Sequence, residues 1–391
     1  MQNLEPYRNR LLRCTRCGVC GAKYDFFTGV FRVCPIVDHS PGFEVYYPRG
    51  RVAIAREILE GNLTYSEGLA NALTACSTCS SCAQQCGSTD AKGDPLINTP
   101  RIVEAMRADV VNLGLTPKPY VTLHSRIEKN RNPYGETDEK RTAWAEGLDV
   151  PFGKSDIIYF VGCTSSYRRK EIAEATVNIL KKVGVPFTVL KDEWCCGSPL
   201  WRTGNLKLAE KMAQHNMEAL KNAKTVITSC AGCIRAFLKD YPEIVGDLPF
   251  EALHITEFLE RLMDEGKIAL KEPVAKKVTY HDPCHIGREL LIYDPPRNLL
   301  KAIPEIEFVE MRSIQENARC CGGGGGMKIS NPNMAVHIAT DRLNHAKEVG
   351  AETIVSSCPF CKTNLLDAVK ETSSDLEILD ITELIAKSVK A

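Results

Sequence analysis

The chain has 391 residues, 44% of them hydrophobic and 25% charged, with 49 Lys plus Arg balanced by 49 Asp plus Glu. A zero formal charge excludes nucleic-acid or membrane-surface binding that relies on a strongly basic chain, and the composition is that of a folded globular protein with room for two or three domains. Eighteen cysteines in a chain long enough for a hydrophobic core argue against a small disulfide scaffold and for thiols as metal ligands.

The start, Met1-Gln-Asn-Leu-Glu-Pro, lacks a basic stretch followed by an apolar one, so no secretory leader is expected. No run approaches eighteen uninterrupted apolar residues, so no membrane span is expected either. Residues 1–115 read as loops and short helices around a first cysteine block, with a helix beginning after Thr99-Pro100. Residues 116–152 are polar and proline-bearing and read as a connecting segment. From 155 onward short apolar runs alternate with amphipathic stretches, the pattern of α/β layering. Ile157-Ile-Tyr-Phe-Val reads as a strand delivering Cys163, then come a helix over 170–182, a strand at Phe187-Thr-Val-Leu and a loop with Cys195-Cys196. A helix over 206–222 and a strand at Thr225-Val-Ile-Thr-Ser lead to Cys230 and Cys233.

The next half repeats this plan. Strands at Val278-Thr-Tyr-His, Ile306-Glu-Phe-Val and Thr353-Ile-Val-Ser-Ser precede Cys284, Cys320-Cys321 and Cys358, with Cys361 closing the set. Leu253-His-Ile-Thr-Glu corresponds to Leu379-Asp-Ile-Thr-Glu, and the offsets between matched residues are 121, 125, 128 and 126. A repeat of that length is a duplicated domain, not a solenoid. The expected bounds are 153–272 for the first copy and 273–391 for the second.

The first block holds Cys14, Cys17, Cys20 and Cys34, then Cys76, Cys79, Cys82 and Cys86. Triplets of thiols two residues apart resemble two-cluster ferredoxins, in which the fourth cysteine of each run serves the other cluster. That resemblance implies one [4Fe–4S] cubane on Cys14, Cys17, Cys20 and Cys86, and a second on Cys76, Cys79, Cys82 and Cys34. Two departures stand out: thirteen residues separate Cys20 from Cys34, and Gly87 follows Cys86 where proline is usual. Two structural zinc sites are the alternative for eight thiols.

Each repeat reads Cys, 31 or 35 intervening residues, Cys-Cys-Gly, 33 or 36 residues, Cys-x2-Cys. This resembles the duplicated CCG cysteine-rich domain of heterodisulfide reductases, related to iron–sulfur subunits of glycolate oxidase and of benzoyl-CoA reductase complexes. With a ferredoxin-type domain in front, the architecture is similar to the D-type subunit. The implied fold is a mainly helical two-cluster ferredoxin-like domain followed by two tandem α/β CCG domains related by a pseudo-twofold axis. The implied cofactors are two cubanes and two noncubane [4Fe–4S] clusters, about sixteen irons at four per cluster. The noncubane pair would use Cys163, Cys195, Cys196, Cys230 and Cys233, and Cys284, Cys320, Cys321, Cys358 and Cys361. An ordinary cubane plus a spare cysteine in one repeat is the alternative. The implied chemistry is two-electron cleavage of a disulfide such as that of CoM and CoB, with Cys195, Cys196, Cys320 and Cys321 at the catalytic centre.

His285 follows Cys284 directly and is a candidate proton donor, because imidazole titrates near neutrality; Thr164 stands at the equivalent place after Cys163, and a plain structural hydrogen bond is the alternative for His285. His281, three residues before Cys284, is expected to make a structural hydrogen bond, and Trp194 and Trp201 to pack. The run Gly322–Gly326 fits neither a phosphate loop nor G-x-G-x2-G. Gly322, Gly323 and Gly324 are expected to let the backbone approach a cluster and donate N–H groups to its sulfurs.

The leading functional expectation is an electron-transferring catalytic subunit that reduces a disulfide. A pure relay between a flavoprotein and a quinone, ferredoxin or acyl-CoA reductase core is the second, and a zinc-rich interaction protein the third. No flavin or nicotinamide fingerprint is present. The resemblance therefore implies a partner: a large flavin/iron–sulfur subunit, a membrane cytochrome b subunit or another flavoprotein dehydrogenase. The expected location is cytoplasmic, or peripheral at the inner membrane face through that partner.

Overall fold

The computed structural model describes residues 3–25, 29–93 and 95–390. Met1 and Gln2, where the reading against a leader begins, and Ala391, the end of the second repeat, lie outside the described residues.

The long gap between Cys20 and Cys34 folds out as an antiparallel hairpin, β1 (Ala22–Asp25) against β2 (Gly29–Arg32), with Ala22 opposite Arg32. At its base the Gly21 carbonyl accepts from the N–H of Val33 at 3.0 Å and of Cys34 at 3.1 Å. The insertion thus returns Cys34 to the residue next to Cys20. Helix α1 (Pro48–Leu59) follows, then the loop carrying Cys76, Cys79 and Cys82.

Helix α2 (Thr99–Asn112) starts where Pro100 places it, with the Asn98 side chain accepting from Arg101 N–H at 3.2 Å. It is buried on nearly every face, including the charged Glu104, Arg107 and Asp109. The segment expected to connect irregularly instead forms α3 (Lys118–Asn130). Its buried residues Tyr120, Leu123, His124 and Ile127 follow the i, i+3, i+4, i+7 spacing of one helix face. The surrounding prolines and polar residues mask that stripe.

The two repeats form two four-stranded parallel sheets. The first contains β3 (Ile157–Tyr159), β4 (Thr188–Val189), β5 (Thr225–Thr228) and β6 (Glu251–His254) in the order β4-β3-β5-β6. The second contains β7 (Lys276–His281), β8 (Ile306–Phe308), β9 (Thr353–Ser356) and β10 (Glu377–Asp380) in the matching order β8-β7-β9-β10. The expected helices are present as α4 (Lys170–Lys182) and α5 (Leu206–Leu220). Equivalent details recur. Tyr159 Oη pairs with Ser229 Oγ at 2.8 Å, and Tyr280 Oη donates to Ser357 Oγ at 3.1 Å. Capping boxes on His254/Glu257 and Asp380/Glu383 start α6 (Ile255–Asp264) and, at the chain end, the helix Ile381–Ser388.

Between β7 and β8 lies α7 (Asp294–Ala302); α8 (Pro332–Glu348) and α9 (Pro359–Thr372) flank β9, and Ile381–Ser388 is α10. Helix α4 of the first repeat packs on α10 of the second, and α6 of the first packs on α7 of the second. Their apolar faces share one core with Tyr159, Ile227, Val278, Tyr280 and Val355 from the central strands. The strands therefore point their carboxyl ends, and the cysteines just beyond them, towards a second core that contains α3. No helix among the described residues is long and apolar enough to cross a membrane.

Candidate metal centre

All eighteen cysteines are free of disulfides. Cys14, Cys17, Cys20, Cys82 and Cys86 line one cavity together with Arg49. Cys17 is exposed, so this cavity reaches the surface. Burial pushes the Cys20 thiol up to about 12, and its thiol neighbours Cys14, Cys34, Cys17 and Cys86 add to the shift. Cys34 is likewise pushed up to about 12 by burial, against the opposing charge of Arg51, with Cys79 and Cys76 adding to it. Cys82 feels Cys34, Cys79 and Cys76, and also Cys20. Thus the groupings 14/17/20/86 and 34/76/79/82 lie side by side.

The repeats show a common chain of thiol contacts. In the first, Cys163 hydrogen-bonds Cys195, next to Cys196, which hydrogen-bonds Cys233, which hydrogen-bonds Cys230. In the second, Cys284 hydrogen-bonds Cys320, next to Cys321, which hydrogen-bonds Cys361, which hydrogen-bonds Cys358. Two further contacts join the sets. Cys230 meets Cys358 across the repeats, and Cys79 of the first block meets Cys320. Cysteines of all three blocks share one core with Phe160, Trp201, Phe237, Tyr241 and Ile286.

Buried charges flank these thiols. Arg141 lies 3.6 Å from Cys163 Sγ and 2.9 Å from Glu193, whose carboxylate also accepts from Val161 and Gly162 N–H. Arg288 donates to the Cys79 carbonyl at 2.7 Å, and its charge faces Cys79, Cys284 and Cys320. Hydrogen bonds from Cys195 and Cys233 hold the Cys196 thiol down to about 6. Gly322 N–H donates to Cys320 Sγ at 3.3 Å, and Gly323 N–H to Cys321. The rest of the glycine run serves a different contact. A Cβ on Gly324 would lie 3.1 Å from the Ser77 carbonyl, and one on Gly325 2.5 Å from that of Cys76, so the run packs on the backbone of the first block.

The imidazole of His285 lies near Arg235, Glu289 and Asp240, and burial with Arg235 holds it down to about 4, so it is neutral at pH 7. Arg235, Arg202 and Arg101 all reach Asp240, at 2.7, 2.8 and 3.4 Å, and Arg202 also reaches Glu104 at 3.0 Å. Sequence reasoning missed this network; charged residues on the apolar face of α2 were its only signal. The structural hydrogen bond expected for His281 is not made: both ring nitrogens are buried without a hydrogen-bond partner. Trp194 stacks on His215, with ring centroids 3.7 Å apart, and Trp201 lies over Gly197, so both pack as expected.

Clustered, disulfide-free thiols in groups of four, four, five and five suit iron–sulfur ligation: buried thiolates in mutual contact need a cationic centre to stay ionised. A family described as a 4Fe-4S dicluster domain matches residues 10–89, and one described as a cysteine-rich domain matches 157–237 and 278–366. The D-type subunit of the dihydromethanophenazine:CoB–CoM heterodisulfide reductase of Methanosarcina acetivorans is 37% identical over 96% of this chain and 93% of its own length. The chain belongs to the family of heterodisulfide reductase D-type subunits. It is thus an iron–sulfur protein of electron transport. The EtfAB:quinone oxidoreductase of Syntrophomonas wolfei is 31% identical over 86% of this chain and 50% of its own. A crystal structure of a hypothetical protein from Helicobacter pylori superposes with a TM-score of 0.58 at 11% identity, covering 100% of this chain and 72% of that one. That likeness is one of fold alone.

Proposed function

We propose that the chain is an iron–sulfur subunit that takes up electrons at Cys14, Cys17, Cys20 and Cys86 and delivers them through Cys34, Cys76, Cys79 and Cys82 to the repeats, where a disulfide of the CoM–CoB type is reduced. The observation that carries this reading is the continuity of the thiols. Cys17 is exposed, Cys79 meets Cys320, and Cys358 meets Cys230, so the sets follow one another from surface to core. Bound clusters, cubane in the first block and noncubane in each repeat, supply one-electron transfer and iron able to meet substrate sulfur. The protein's own part is to hold each set of thiols, exclude water and place Arg141 and Arg288 as fixed charges beside them.

The reciprocal packing of α4 on α10 and of α6 on α7 supports a pseudo-twofold relation, because a twofold interface returns each contact in exchanged order. The Cys230–Cys358 contact then lies where matched residues meet. Gly322 and Gly323 donate N–H groups to sulfur in this reading, whereas His285, neutral at pH 7, carries no readily released proton for a thiolate there and so loses the basis for its expected role as donor. The domain bounds 1–115, 116–152, 153–272 and 273–391 remain our division, with α3 bound to the repeats.

A relay role in a larger redox complex is the second reading. It is favoured by the direct contact of Cys230 with Cys358, which is what electron passage needs, and by the likeness to a quinone oxidoreductase. In both readings a partner supplies the electrons: a flavin/iron–sulfur subunit, a membrane cytochrome b or another flavoprotein.

Anaerobic iron and acid-labile sulfide analysis should give about sixteen irons per chain at four per cluster; stoichiometric zinc with little iron overturns the reading. Turnover of the mixed disulfide with a reduced viologen separates the two roles. Cys195→Ser and Cys320→Ser should each abolish turnover while leaving the first block reducible. Intact turnover in both removes the paired cysteines from catalysis, and no turnover in the iron-replete wild type leaves the relay.

A further inference from the structure

The two repeats are alike in fold but differ at one buried position beside the thiols. His281 ends β7 and lies three residues before Cys284; Phe160 follows β3 and lies three residues before Cys163. Both are buried, at 1% and 0% exposure. Phe160 fills its place with an edge-on contact to Phe237, centroids 5.0 Å apart. The fold therefore accepts an apolar ring here, and the imidazole in the second repeat is not required for packing.

A buried polar group without a partner is destabilising, so an orphaned imidazole calls for a missing partner. Neither ring nitrogen of His281 has one, while a ring nitrogen and the sulfurs of Cys321 and Cys361 lie within 4.8 Å of one another. Imidazole carries at least one N–H in either protonation state. A ring nitrogen thus lies beside the sulfur ligands of the second repeat, where Phe160 gives the first repeat none. Hydrogen bonds to the sulfurs of an iron–sulfur cluster are one of the levers that set its reduction potential, since they stabilise the added negative charge.

We propose that His281 is a positioning residue that donates a hydrogen bond to the sulfur shell of the second-repeat cluster and raises its potential above that of the first repeat. The inference rests on the iron–sulfur reading above. It makes the two sites unequal, so that the first electron is held in the second repeat, the one that borders Cys79.

The test is an EPR-monitored redox titration of the anaerobic, iron-replete full chain, with iron and sulfide counted on every sample. His281→Phe, which copies the first repeat, should lower the midpoint potential of one repeat cluster only. Phe160→His should raise that of the other, and His281→Gln, which keeps an N–H, should stay near wild type. Pulsed EPR with 15N-histidine should show a weak nitrogen coupling that is lost in His281→Phe. Unchanged potentials at full iron content overturn the proposal, as does a strong coupling, which marks a direct iron ligand. Should His281→Phe not fold, the Phe160→His arm decides alone: an upward shift supports the proposal and no shift overturns it. Samples without iron would instead defeat the cluster reading, a distinct result.

Discussion

Arg107 Nη1 donates to the Gly325 carbonyl at 2.8 Å, tying the helix ahead of the repeats to the glycine run of the second one. The same guanidinium reaches the carbonyls of Leu73 at 2.6 Å, Cys76 at 2.8 Å and Arg202 at 2.6 Å. It is 2% exposed, so these backbone dipoles replace water around its charge. One side chain therefore holds three parts of the molecule in register. Arg107→Met would leave several buried acceptors unmatched, at about 1–3 kcal/mol each before relaxation. A net loss of about 3 kcal/mol or more is expected, read as a lower denaturant midpoint under anaerobic conditions; a midpoint equal to wild type would refute the clamp.

Gly325 is the other half of that joint. Its φ is +62°, and an added Cβ would lie 2.5 Å from both the Cys76 oxygen and the Ser77 carbonyl carbon. Backbone cannot yield there as a side-chain tip would. Gly325→Ala should push the second repeat off the first block and lengthen the Cys79–Cys320 approach. Freeze-quench EPR after a reductant pulse should show the first block reduced at the normal rate and the repeats reduced more slowly. Equal rates would mean that the glycine run does not set the spacing.

Much of this was legible in the sequence because ligand spacing and the duplication are local and periodic signals. The strand positions and the duplicated cysteine-rich plan follow from them. What was not legible depends on contacts between distant segments. The gap before Cys34 reads as a departure until the hairpin brings Gly21 and Cys34 together. Tyr120, Leu123, His124 and Ile127 carry a helical stripe, but Pro117, Pro119 and Pro133 make the stretch read as a loop. Nothing local tells Arg107 from a surface arginine. The lack of partners for His281, which decides against a structural role, is a property of its surroundings.

Asp380 gives a pH dependence with a definite sign. Its carboxyl caps α10 through Thr382 N–H at 3.0 Å, Oδ2 has no partner, and burial raises its pKa from 3.8 to about 7. A raised acid pKa contributes stability that is full below the unfolded value and is lost as pH rises to the folded one. This group therefore makes the chain less stable at pH 8 than at pH 5, by about 3 kcal/mol for the two units between pH 5 and the folded value at 1.36 kcal/mol per unit. Asp380→Asn keeps a capping oxygen without a charge. Its stability should exceed wild type at pH 8 and approach it at pH 5, measured by denaturant unfolding at both. A parallel offset at the two pH values would show that Asp380 is ionised in the fold.

Arg288 stands where the first block meets the second repeat. It is buried, donates to the Cys79 and Ala318 carbonyls, and turns its charge towards Cys79, Cys284 and Cys320. A fixed positive charge at that joint favours arrival of an electron, because it offsets added negative charge where little water can. Arg288→Met removes the charge and both hydrogen bonds, whereas Arg288→Lys keeps the charge and loses the fork that spans the two carbonyls. Met should slow reduction of the second repeat while Cys14, Cys17, Cys20 and Cys86 still accept electrons. Lys should recover most of that rate despite a lowered denaturant midpoint. Slowing by Lys as severe as by Met would assign Arg288 to geometry alone, because Lys retains the charge and loses the planar fork.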